Sequence, residues 1–520
     1  MSAKLVVLGI DAASPLLETM AREGRLPHIS SLLRRSTFGG VKGVEALFVG
    51  STWPSFYTGL NPGNHGFYRI EQLRSGSYAF YNPLASEGGV GGTPFWRLAS
   101  NAGLRVAVLD VPLTHLEPHL NGVHIVEWGG HDEAVGFGTY PSELAGHIVD
   151  RFGKHPHPES CDAVRSGAKA FGDFLELLER GVETRTELAI DILEREDWDL
   201  FVQVFTEVHC VGHQCWHLHD ATHPAHDAET RRRLGDPLRR VMIEVDRAVG
   251  TIIQRAPEAT VLLVSNHGMR HFHGANFLLP RILFRLGIAV PMQQVSSPVR
   301  GPYQEWGRKA WHQLPQWLRR TLSPLRARIG PPIDEGRRLG IDVDQSRCFP
   351  VPAGFPVSGI RLNLRGREPS GIVEPGPEAS ALCEEIKEAL LEIVDRRTGE
   401  PLVQRVVHTS DLYRGPRSHM LPDLLVEWAA DVPTGSTSHG EGEGSEIICE
   451  SSRIGELSGR NDYMRTGDHE PFGFFALSTR GQTLSTQVDA VSIYDFHPTI
   501  CHLLGIEPTI VDGVPITGGS

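Results

Sequence analysis

The 520-residue sequence has no apolar run long enough to cross a membrane. Its first such run, Leu5 to Ile10, meets Asp11 at once, well short of a signal core or of the ~20 residues a span requires. It also has no cysteine framework. Cys161, Cys210, Cys215, Cys348, Cys383, Cys449 and Cys501 are odd in number and follow no zinc-finger spacing, which fits reduced thiols and a cytoplasmic protein. An excess of positive charge is missing too. With a formal net charge of −13, the chain has no global field to draw a nucleic acid duplex or an anionic membrane, so an anionic substrate needs a local cationic site, which metal ions can supply. There is no internal repeat. A hydrophobic content of 40% with 22% charged residues is that of a globular protein, long enough for about two to four domains or one elaborated α/β domain.

What is present is an alternation. "KLVVLGID", "VAVLDVP", "LFVQVFTE" and "TVLLVSNHG" are continuous apolar runs of strand length that end at polar residues, the form of strands buried on both faces. Between them, "GDFLELLERGVETRTELAIDILERE" and "DPLRRVMIEVDRAVGTIIQRA" space apolar residues three and four apart, the pattern of amphipathic helices. This predicts an α/β fold, a central and largely parallel sheet sandwiched by helices. In such sheets ligands gather outside the carboxyl ends of the strands. Asp11, Glu207 with His209, and Asn266 with His267 all fall at those ends.

Their chemistry is that of metal ligands. In "TEVHCVGHQCWH" a helical turn puts His209 and His213 on one face, where two imidazoles can share a zinc ion. Asn266 and His267 offer a carbonyl oxygen and an imidazole before a glycine turn, and His469 lies in a further loop, "TGDHEPFG". The other histidines of "HQCWHLHDATHPAHD", His217, His219, His223 and His226, read as a wet surface. In "GSTWPSFYTGLNPGNHG", Ser51 and Thr52 precede a proline that can open a helix. A hydroxyl at a helix start is either an N-cap or a nucleophile in an anion-stabilising place, and the stretch by itself leaves both open.

"LGIDA", "TWPSFYTGLNPGNHG", "EVHCVGHQCWH", "SNHGM" and "GDHEPFG", followed by "VSIYDFHPTICHLLGI", occur in an order and spacing that resemble the alkaline phosphatase superfamily. The resemblance is to its type I phosphodiesterase and nucleotide pyrophosphatase branch and to predicted phosphohydrolase and phosphomutase relatives. It implies an alkaline-phosphatase-like catalytic domain over 1–280 and 346–520, with an inserted cap over 281–345 that contains the basic, tryptophan-bearing stretch 306–330. It implies two divalent ions, zinc by preference, with manganese or iron as alternatives. Asp11, Thr52, Asn266 and His267 would hold one ion, and His209, His213 and His469 the other. Thr52 would attack phosphorus and carry a phospho-threonine intermediate in the hydrolysis of a small phosphodiester or nucleotide pyrophosphate.

Three positions depart from the family pattern. His209 and Asn266 stand where the family has Asp, and Thr52 lies three residues closer to Thr58 and Gly59 than the nucleophile of better-known diesterases does, which keeps Ser51 as an alternative. The other readings are a phosphomonoesterase, a phosphotransferase or phosphomutase, and a degenerate metal-binding homologue without activity. A sulfatase would need an arginine that "STWPSF" lacks.

Overall fold

The computed structural model describes residues 4–85, 88–130, 134–157, 163–292, 340–354, 356–431, 433–435 and 445–516. Most of the expected cap, including stretch 306–330, and most of the Gly/Ser/Glu-rich segment 433–446 lie outside the described residues.

Strand Leu5–Ile10 runs through the middle of a ten-stranded sheet. Leu200–Phe205 and Thr260–Ser265 flank it, both parallel, and Val106–Leu109 and Gly122–Val126 extend the parallel set. On the other side Phe472–Ser478 pairs antiparallel with Thr260–Ser265 and with Thr37–Lys42. Successive side chains of a strand point to opposite faces. Val6, Leu8 and Ile10 accordingly enter one core, with residues of helices Gly167–Arg195 and Pro237–Arg255. Leu5 and Val7 enter a second, with helices Phe48–Thr58 and Phe496–Leu504. The run is apolar throughout because neither face meets water, and each buried Val, Leu or Ile contributes about 2 kcal/mol to holding the sheet in place.

A separate lobe is antiparallel. Cys348–Pro352, Val357–Leu362, Leu424–Trp428 and Val403–His408 form a four-stranded sheet in that order. With helix Pro377–Leu391 and the Ile282 region it encloses its own core of Ile360, Ile386, Val426 and Trp428. From this lobe the chain returns through residues 461–466 to a short strand, Gly467–Glu470, paired with Gly268–His271. It then enters the main sheet at Phe472–Ser478. His469 thereby reaches the edge where the parallel strands end.

Candidate active site

The parallel registers bring Ile10 beside Phe205 and Gly9 beside Val264, so the residues that follow all emerge at one edge. Asp11 follows the first strand, Asn266 and His267 the third. After the second, helix Glu207–His219 carries His209 and His213 one turn apart. His469 comes from the strand Gly467–Glu470 rather than from a loop, opposite Met269 in the ladder.

The three imidazoles converge. His213 Nε2 lies 3.2 Å from His209 Nε2 and 3.2 Å from His469 Nε2. Among the described residues these three form the one group of three or more His, Cys, Asp or Glu side chains able to hold a metal ion, with their ligand atoms within 4.8 Å of one another. His213 Nδ1 is 2.8 Å from the Gly467 carbonyl oxygen. A carbonyl only accepts, so Nδ1 carries the proton and Nε2 presents its lone pair. A carbonyl that fixes the tautomer in this way is the usual support for a metal-binding histidine. Buried nitrogens gathered around one point suit a cation such as zinc.

The adjoining half of the site is poorer in donors. His267 Nε2 lies 3.5 Å from Asp11 Oδ1, and the same oxygen accepts a hydrogen bond from Trp53 Nε1 at 3.0 Å. Gly9 makes that contact possible, since a Cβ there would come within 2.8 Å of the Trp53 ring. Asn266 is fully buried; its Oδ1 accepts from the Ala12 N–H at 3.4 Å, and its Nδ2 has no hydrogen-bond partner among the described residues. The two halves touch, with the His267 and His469 rings 4.5 Å apart between centroids.

Both open into a pocket of about 470 Å³, lined also by Val49, Gly50, Trp53, Tyr68, Asp110, Leu113, Tyr463, Arg465 and Asp468. Thr52 and Ser51 are absent from that lining. The expectation that they stand at a helix start is corrected: the helix spans Phe48–Thr58 and holds Pro54 inside it. Thr52 Oγ1 donates to the Phe48 carbonyl, and Ser51 Oγ to the Phe67 carbonyl at 2.8 Å. At 3.6 residues per turn, Val49, Gly50 and Trp53 share the pocket face, and Thr52 is turned about 100° from it. Within the first turn Gly50 packs on Tyr68, where a Cβ would overlap the carbonyl oxygen. Counting three residues back from Thr52, the shortfall seen in the spacing, falls on Val49.

The sequence reading passed over Arg465 and Trp53. Arg465 lies four residues before His469, is buried, and donates from Nη1 to His213 Nε2 at 3.0 Å. Trp53 stood inside a motif read for its hydroxyls. Two of the histidines read as surface are buried, His217 and His223; His217 sits against Thr466 at 3.1 Å. Arg417 donates to the Gly88 and Gly89 carbonyls, and neither it nor His419 lines the pocket.

Residues 5–284 match the family model of type I phosphodiesterase / nucleotide pyrophosphatase. The chain belongs to this family. It is thus a phosphodiesterase/nucleotide pyrophosphatase-like hydrolase of the alkaline phosphatase superfamily. No curated protein matches it significantly. Among solved structures it is similar to murine ectonucleotide pyrophosphatase/phosphodiesterase 5, at 11% identity over 98% of this chain and 97% of that one, with a TM-score of 0.48. The same figures hold for an inactive form of that murine protein in complex with AMP. Among the described residues no helix is long and apolar enough to cross a membrane.

Proposed function

We propose that this pocket hydrolyses phosphodiesters or nucleotide pyrophosphates with the help of divalent ions. His209, His213 and His469 would hold one ion, zinc by preference, and Asp11 and His267 with Asn266 a second, weaker one. The observation that carries this reading is the approach of buried His209 Nε2 and His469 Nε2 to 3.2 Å from His213 Nε2, with the His213 tautomer set by Gly467. Such ions, when bound, polarise phosphoryl oxygens and make water acidic near neutral pH.

The chain's own groups have separate tasks. Trp53 N–H orients the Asp11 carboxylate. Arg465 supplies a permanent positive charge at the pocket wall, suited to a phosphoryl oxygen. Val49, Tyr68 and Leu113 offer an apolar wall to the organic group on phosphorus. A covalent route through phospho-Thr52 would need the hydroxyl to leave Phe48 and cross to another face of the helix. We therefore read the reaction as a single displacement, with water rather than Thr52 supplying the attacking oxygen.

The test uses chelator-treated protein reloaded with zinc, manganese or iron and assayed on bis(4-nitrophenyl) phosphate. Metal-dependent hydrolysis is expected, abolished by His213→Ala and kept within about threefold by Thr52→Ala. Loss of activity in Thr52→Ala, together with phospho-Thr52 detected by mass spectrometry in the native protein, would restore the covalent route. Hydrolysis indifferent to metal would overturn the proposal.

A further inference from the structure

Arg465 and a metal ion would claim the same lone pair. The His213 ring has one acceptor nitrogen, because its Nδ1 proton is given to Gly467. That single Nε2 lone pair accepts from Arg465 Nη1 at 3.0 Å. A lone pair in the ring plane serves one partner at a time. For His213 to ligate a metal, the guanidinium must therefore withdraw from Nε2.

The structure also shows where it can go. Arg465 lines the pocket beside Asp11, His209, His267 and His469, and its guanidinium carbon already lies 5.3 Å from the centre of the Tyr463 ring, which lines the same pocket. The backbone around it is clamped on both sides. Tyr463 N donates to Asn461 Oδ1 at 3.1 Å, and Thr466 N donates to the His213 carbonyl at 2.8 Å. With the backbone so held, the Arg465 charge stands at the wall of the space that a phosphoryl group would enter. A planar guanidinium matches phosphoryl oxygens two at a time.

We propose that Arg465 is an anion-binding residue released by the metal. Without an ion it rests on His213 Nε2; with one, it turns into the pocket and binds the phosphoryl oxygens of the substrate. Metal and anion binding are then coupled through one side chain, an ion first and the phosphate ester second. This inference rests on the reading of His209, His213 and His469 as metal ligands.

The two roles of Arg465 make its removal act in opposite directions. Calorimetric titration of Zn²⁺ into metal-free protein should show Arg465→Met binding the ion about tenfold more tightly than the native chain, since a competitor and a like charge are gone. Titration of inorganic phosphate into the zinc-loaded forms should show Arg465→Met binding it at least about tenfold more weakly. Arg465→Lys, which keeps the charge without the fork, should fall between the two on phosphate and guards against a folding defect when its thermal midpoint matches the native one. Zinc uptake that is lost in His213→Ala but equal in native and Arg465→Met protein, with phosphate binding also equal, overturns the role of Arg465 and leaves the metal reading standing. A native chain that takes up no zinc overturns both.

Discussion

The pocket and the interior beneath it both bury histidines, and they do so in opposite ways. In the interior His65 and His124 each sit apart from the other histidines. His65 Nδ1 accepts from the Phe67 N–H and its Nε2 meets Ser55 Oγ, both at 3.0 Å; His124 Nδ1 accepts from the Glu117 N–H at 3.2 Å. Burial pushes the pKa of both down to about 3, so these rings stay neutral and behave as shaped core residues. At the pocket, His209, His213 and His469 turn their nitrogens on one another. Burial alone thus says little about a histidine; what distinguishes the two regions is whether the nitrogens of several rings converge on a common point.

The largest test of that difference exchanges one ring from each region. His213→Ala should lower zinc affinity at least about 100-fold with a modest effect on the thermal midpoint. His124→Ala should do the reverse, leaving zinc binding unchanged and lowering stability by about 2 kcal/mol. Matching metal loss in both variants would erase the distinction.

A second experiment sharpens the contrast within the pocket, between the three-imidazole half and the half around Asp11. Asn266→Asp adds a carboxylate where the amide oxygen now serves the Ala12 N–H. It should raise the affinity for a second ion about tenfold and leave the first unchanged, as read by equilibrium dialysis with stoichiometry by elemental analysis. A first-ion affinity that moves with it would mean that the halves are not separate.

A last expected effect, spread over several pH units, concerns acid. His65 and His124 have folded pKa values near 3 against an ordinary 6.5, so between about pH 6 and 4 the unfolded chain binds protons that the folded chain refuses. Stability that is fully present above pH 6.5 should then fall as pH is lowered, by about 1 kcal/mol per pH unit for each such ring. Denaturant melts of metal-free protein at stepped pH should show the slope, and His124→Gln should flatten it. An unchanged slope would mean that His124 takes up its proton without unfolding.

These contrasts also mark how far the sequence could be read. Asp11, His209 and His267 were legible because a buried strand is continuous in sequence and its end is where the apolar run stops. His213 followed from helical periodicity. The pairing of His469 with them was carried by resemblance, because it depends on a strand pair across roughly 200 residues that no local pattern encodes. The helix start expected at Ser51 and Thr52 was misplaced for a physical reason. Proline is common at a helix start but is also found inside the first turns of a helix, as Pro54 is here, and the close packing of Gly50 on Tyr68 is a tertiary contact that the local sequence does not state. Arg465 left no signal, since nothing in "RTGDHE" states which way a side chain points.

The late arrival of His469 governs how the molecule is made. The stretch that matches the family model ends at residue 284, by which point Asp11, His209, His213, Asn266 and His267 have all been synthesised. At about 5–20 residues per second on the ribosome, Arg465 and His469 follow some 10–40 s later. Until then the third imidazole is missing, and the strands Thr37–Lys42 and Thr260–Ser265 lack the partner that Phe472–Ser478 inserts between them. A nascent chain of that length carries open sheet edges of the kind that chaperones shelter. An interrupted translation product holds two of the three converging histidines and lacks Arg465, so the cluster is complete only when the last fifth of the polypeptide has been delivered and folded back across the first.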